Sequence, residues 1–225
     1  MKLIIGNTNY SSWSVRPWLV LTHFGVPFEE KLAPLSGEGW KENLQRVSPT
    51  GRVPVLLDGE LVIPETIAIV EYLAETHPDL AIWPVERGRR ALARAAASEM
   101  HAGFSALRRA APMNLRAHLP GRISRDQVAD DLKRVESLWG DLLDRYGGPY
   151  LFGGFCAADA MFAPVASRIR TYDLPVSDTG ASYVEAIYAL PAFQQLLAKA
   201  AAEPWTVQRD EIDVALSGRP ITDGS

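Results

Sequence analysis

Ser11 and Ser12 stand side by side in the stretch Tyr10 to Leu21, YSSWSVRPWLVL, just after the short apolar run Leu3 to Ile5. The spacing predicts a loop running into a helix that begins near Ser14 or Val15. Pro17 falls in its first turn, and Trp18, Leu19, Val20, Leu21 and Phe24 face a core. Hydroxyls at such a point lie beside unpaired backbone N–H groups and the positive end of the helix dipole. Both favour an anion, and a thiolate is one. A plain N-cap is the competing reading of the same serines.

A second group lies in Ser48 to Leu73, SPTGRVPVLLDGELVIPETIAIVEYL. Val53 to Leu57 and Leu61 to Ile63 read as strands joined through Asp58-Gly59, the dipeptide of tight hairpins. Pro54 cannot donate to a ladder, which confines it to a strand start or an edge, and Arg52-Val53-Pro54 is a suitable place for a cis bond. Val53 would then offer free backbone groups to an extended ligand lying alongside. Glu65 and Thr66 open the next helix and repeat the anion-site logic, with first-turn helix stability as the alternative.

These residues need a scaffold. Leu3 to Gly6, Ser14 to Phe24 and Phe28 to Leu32 read as strand, helix and strand, which implies a right-handed crossover and a parallel pair. Residues 33 to 50 read as a polar connection with one helical turn at Lys41 to Gln45. Pro78 to Pro84, PDLAIWP, breaks the pattern and reads as a linker. Beyond it the alternation stops. Arg87 to about Arg116 and Gln127 to Tyr146 carry apolar residues at helical spacing, which predicts two long amphipathic helices, and Ala192 to Ala202 predicts a last helix before a polar tail. Arginines 87, 89, 90, 94, 108 and 109 read as a solvated helix face. Phe155-Cys156-Ala157-Ala158-Asp159 has the form of a capping box with a hydrophobic staple, so Asp159 reads as a fold determinant and not as a catalyst.

The 225 residues fit one large or two small domains, and 47% hydrophobic content is enough for a core in each. A net charge of −4 gives no general attraction to nucleic acid or to an anionic membrane. The expectation is a cytoplasmic chain without a signal or membrane-spanning segment. A single cysteine, Cys156, excludes an intrachain disulfide and a CxxC pair, and the four histidines lack ligand spacing, so no metal is expected.

The segments SSWSVR, RVPVL, the Asp-Gly hairpin, PETIAIVEYL and FCAADAMFAP together resemble the cytosolic glutathione S-transferase family over nearly the whole chain. SSWSVR is similar to the serine motif of the zeta (maleylacetoacetate isomerase) class, with Trp13 where that motif has cysteine. The resemblance implies an α/β thioredoxin-like domain at 1–77, a linker at 78–84 and an all-helical domain at 85–225. It implies glutathione as cosubstrate, with Ser11, or its neighbour Ser12, stabilising the thiolate. Val53 would pair with the cysteinyl backbone beside a cis-Pro54. Glu65 and Thr66 would hold the γ-glutamyl end, and Arg52 or Trp40 the glycyl carboxylate. Arg16 matches a family arginine near the serine. A small hydrophobic electrophile is expected between the halves, against residues 104–116 and 7–13, in a homodimer. A glutathione-dependent isomerase and a non-catalytic ligand-binding protein of the same fold are the alternatives.

Overall fold

The computed structural model describes residues 1–212; the last part of the polar tail lies outside them. β1 (Lys2–Ile5) and β2 (Glu29–Leu32) run parallel, joined through α1 (Ser12–His23) as expected. β3 (Val55–Asp58) and β4 (Leu61–Pro64) form the antiparallel hairpin, giving the sheet order β2-β1-β3-β4. β3 starts two residues later than expected, because Pro54 has no N–H for the ladder, so Val53 and Pro54 precede it. The Val53–Pro54 bond is cis. α2 (Trp40–Val47) is longer than the single turn anticipated, and α3 (Thr66–Thr76) turns Ile69, Val70 and Leu73 into the core.

After α3 the chain is irregular as far as Glu86. Ile82 and Trp83 are buried there, and the Ile82 carbonyl accepts the Ala157 N–H at 2.7 Å, so this connection is built into the core. The rest is helical: α4 (Arg87–Ala102), α5 (Ser105–Ala110), α6 (Ala129–Tyr146), α7 (Ala157–Tyr172), α8 (Asp178–Ala189) and α9 (Pro191–Ala202), with 3₁₀ turns at Arg125–Gln127 and Gln208–Asp210. This is the expected thioredoxin-like sheet followed by a helical half. Among the described residues, no helix is long and apolar enough to cross a membrane.

One helical expectation is corrected, and one helix is added. The pattern from Arg87 to Arg116 is not one helix: it breaks at Gly103 and Phe104, where Phe104 takes a left-handed φ of 56°. The α5 segment then restarts in a new direction, its Leu107 N–H donating to the Asp131 carboxylate at 2.8 Å. The α8 helix was not anticipated; Ser177 caps it by accepting the Gly180 N–H at 3.2 Å.

The α7 helix is apolar on nearly every side and lies at the centre of the helical half. Its N-terminus carries the expected capping box: Asp159 accepts the Cys156 N–H at 2.9 Å. Arg16 of α1 is fully buried against α7, donating to the Met161 carbonyl at 3.0 Å and to the Ser12 carbonyl at 2.8 Å. One buried guanidinium thus joins the loop of the serines to the central helix.

Candidate active site

Between the sheet half and the helical half lies a cavity of about 520 Å³. Tyr10, Ser11, Ser12, Trp13, Trp40, Arg52 and Val53 line one side, and Ser105, Arg108, Arg109, Pro112, Met113 and Arg168 the other. These walls lie where the second pocket was expected, at residues 7–13 and 104–116.

The helix starts at Ser12, two residues earlier than its pattern suggests, which makes Ser11 the N-cap. Ser11 Oγ accepts the Ser14 N–H at 3.4 Å and lies 2.8 Å from Ser14 Oγ. Ser14 Oγ in turn accepts the Gly6 N–H at 3.0 Å. When Ser14 donates to Ser11, the Ser11 oxygen receives two inward bonds and its own proton is free for the cavity. The N-cap reading and the anion-site reading of Ser11 are therefore compatible. The Ser12 hydroxyl lines the cavity too, without such a chain behind it.

The remaining candidates divide. Arg52 is exposed on the cavity rim, its loop closed by Ser48 Oγ donating to the Arg52 carbonyl at 2.6 Å, and Trp40 stands beside it at the start of α2. Val53 lines the same wall, while Pro54 is buried behind it. Glu65 and Thr66 do not line the cavity but adjoin it: Thr66 Oγ1 donates to the Trp13 carbonyl at 3.0 Å. Glu65 caps α3 by accepting the Ile67 N–H at 3.0 Å, with a φ of 82°. His101 of α4 approaches Glu65 at 3.6 Å and packs edge-on against Trp13.

The helical wall is basic. Of the arginines read as a solvated face, Arg94 does pair outside with Glu71 at 2.7 Å. Arg108 is half-buried and Arg109 exposed, and both line the cavity, because the break at Gly103 turns α5 toward it. Arg108 lies over the Trp13 ring at 4.5 Å, and Arg16 over the same ring at 4.3 Å. Arg168 of α7, which sequence reasoning did not single out, is buried and donates to the Ala111 and Pro164 carbonyls at 2.8 and 3.1 Å. Burial, with the charge of Arg108, lowers the Arg168 guanidinium to about 10. Burial lowers Arg16 as well, with the charges of Arg168 and Arg108 adding to it. Arg108 and Arg168 line the cavity and Arg16 lies buried behind it, so positive charge is concentrated on this side.

The loop of the serines is fixed from the far side by residues without any sequence motif. Asn9 Nδ2 donates to Asn114 Oδ1 at 2.8 Å, and Asn9 Oδ1 accepts the Arg116 N–H at 2.9 Å. Cys156 is 2% exposed, and burial holds its thiol well above the usual range, so it takes no part in the cleft. Among the described residues no group of His, Cys, Asp and Glu could hold a metal ion.

The family model of the glutathione S-transferase N-terminal domain matches residues 10–76. A probable maleylacetoacetate isomerase of Caenorhabditis elegans is 31% identical over 189 residues, covering 81% of this chain and 86% of that protein. A probable maleylacetoacetate isomerase of Vibrio cholerae is 30% identical over 215 residues, covering 87% and 95%. Among solved structures, a glutathione transferase homolog from Burkholderia with bound glutathione is 28% identical, with a TM-score of 0.68 over 89% of this chain and 97% of that one.

Proposed function

The chain belongs to the glutathione S-transferase family, and on that premise we propose that the cleft binds glutathione, keeps its sulfur ionised and directs it at an electrophile held against the arginine wall. The observation that carries this reading is the chain of donors from Gly6 through Ser14 to Ser11 at the mouth of α1. A free thiol titrates at about 8.5, and each unit of lowering requires about 1.4 kcal/mol. One hydrogen bond to a charged sulfur contributes about 1.5 to 3 kcal/mol, and the helix terminus several tenths more. A lowering of about one to two units follows. In this reading Ser11 is the principal donor and Ser12 the second. The rest of the tripeptide is held by the Val53 main chain beside Pro54, by Arg52 and Trp40 at the glycyl carboxylate, and by Glu65 and Thr66 at the γ-glutamyl end.

The basic wall favours one form of that activity. Arg108, Arg109 and Arg168 suit an electrophile that carries a carboxylate better than a purely apolar one. With an unsaturated keto acid, the thiolate adds to the carbon–carbon double bond and the π electrons move to the carbonyl oxygen as an enolate. The former double bond then rotates, and the enolate returns its electrons to re-form the double bond and expel the thiolate. Glutathione is regenerated, so the net reaction is a cis–trans isomerisation. Retention of the adduct after protonation would give a transferase instead.

For its organisation we propose a glutathione-binding unit at 1–77, a connector at 78–84 and a helical unit at 85–225. The change after Thr76 from alternating strands and helices to helices alone supports it. A cytoplasmic homodimer is proposed with it; exposed Leu61 and Val62 on β4 and Val85 and Leu92 near α4 support an interface.

The test is the thiol titration of bound glutathione, followed by thiolate absorbance against pH. Wild type is expected to lower the thiol by about one to two units. Ser11→Ala should lose most of that and Ser12→Ala less; Ser14→Ala should fall between them, since Ser11 keeps its hydroxyl without the donor behind it. Tight binding of glutathione with an unshifted thiol in the wild type would make the protein a ligand carrier and not an enzyme.

A further inference from the structure

After α9 the chain returns across the cleft. The Glu203 carboxylate accepts the Thr8 and Asn9 N–H groups at 2.5 and 3.2 Å, while Arg116 donates to the carbonyls of Glu203 and Trp205 at 2.6 and 3.1 Å. At the far end Glu211 is held by Asn114 Nδ2 at 3.1 and 3.2 Å and by the Tyr10 hydroxyl. Between these anchors Val207 is buried with Tyr10, Leu35 and Leu44. The 3₁₀ turn Gln208–Asp210 thereby sets Asp210 into the wall of the cavity that the arginines also line.

Among the described residues, Asp210 is the sole acidic side chain lining a cavity that also holds Arg52, Arg108, Arg109, Arg168 and Arg209. Its partner is Arg209 at 3.6 Å, whose guanidinium lies over the Trp40 ring at 5.1 Å. Arg168 is electrostatically coupled to it as well. The carboxylate sits on a strap latched at both ends, through Glu203 and through Glu211.

We propose that Asp210 is a specificity-determining residue: its carboxylate is the resident counter-ion of the cavity arginines, with which the carboxylate of an anionic electrophile must compete. The proposal rests on the reading of the arginine wall as an anion subsite. An anion entering beside Asp210 gains the attraction of the arginines less the repulsion of this carboxylate. A neutral electrophile feels neither. Asp210 therefore sets how strongly the cleft distinguishes the two.

The experiment uses an aryl enone that carries a carboxylate and its neutral methyl ester, with glutathione saturating. kcat/KM is measured for wild type, Asp210→Asn, Asp210→Glu and Arg108→Gln. Arg108→Gln should lower the value for the acid by about 5-fold relative to the ester, the size of a partly exposed charge pair. Asp210→Asn should raise the value for the acid by about 5-fold through KM and leave the ester within about 2-fold, and Asp210→Glu should behave as wild type. A selective loss in Arg108→Gln without a selective gain in Asp210→Asn overturns the counter-ion role and leaves the anion subsite standing. An equal effect of Arg108→Gln on acid and ester overturns the anion subsite itself. Equal changes for both substrates in Asp210→Asn would mean that the strap had moved, which also overturns the assignment.

Discussion

Asp159 carries a carboxyl that accepts from neutral donors: the Leu151 and Cys156 N–H groups at 3.0 and 2.9 Å, the Tyr183 hydroxyl at 3.0 Å and the Cys156 thiol. Burial outweighs them and raises the group from 3.8 to about 6. The folded protein thus binds this proton more tightly than the unfolded chain does. The group's contribution is fully present below the unfolded value and is lost as pH rises through about 6, with an upper bound of about 3 kcal/mol. Asp159→Asn removes the titration but sets an amide N–H against the Cys156 N–H, at a cost of about 1 to 3 kcal/mol. Denaturant unfolding at several pH values between the two pKa values should therefore show a less stable variant with a flatter pH dependence. Equal slopes in the two proteins would assign the titration to another group. Single residues were legible where a local rule applies to them. Ser11 and Ser12 stand at a helix start, and Asp159 three residues past a cap. Arg168 sits in an apolar run with nothing local to mark it, and Asp210 lies in a tail without periodicity.

At the scale of elements, the break between α4 and α5 matters most. The apolar spacing Leu92, Ala96, Met100, Phe104 and Leu107 fits one continuous helix, and only the tertiary fold interrupts it. Gly103 is the pivot, since a Cβ there would lie 2.8 Å from the Glu99 carbonyl oxygen. In α6, by contrast, a Cβ added at Gly140 meets nothing within 4 Å. The same substitution should then act with opposite signs: Gly103→Ala destabilising by about 1 to 3 kcal/mol, Gly140→Ala stabilising by about 0.5 to 1 kcal/mol. Denaturation midpoints of the two variants measure this, and a stabilised Gly103→Ala would show that the break is not sterically enforced. The strands and the Asp58-Gly59 hairpin were readable because period-two alternation and turn chemistry are local. The α8 helix escaped notice because its buried residues, Gly180, Tyr183, Val184 and Ile187, include a glycine and make a weak stripe.

At the scale of the whole molecule, the two halves were legible and their fastening was not. The latch between Glu203 and the Thr8 and Asn9 amides joins residues 195 and 194 positions apart, and no periodicity can announce it. Glu203→Ala should release the strap at an expense of about 1.5 to 3 kcal/mol for a charged acceptor. Hydrogen exchange should then quicken together at residues 7–10 and 203–211. Faster exchange confined to the strap would show that it does not support the serine loop. One further property of the assembled protein is practical. Its single thiol, Cys156, is sealed at the head of α7 and held protonated. A maleimide dye offered to the native enzyme should leave it unmodified, so one cysteine engineered onto the strap would give a uniquely labelled fluorescent reporter of whether the strap is latched in the otherwise natural sequence.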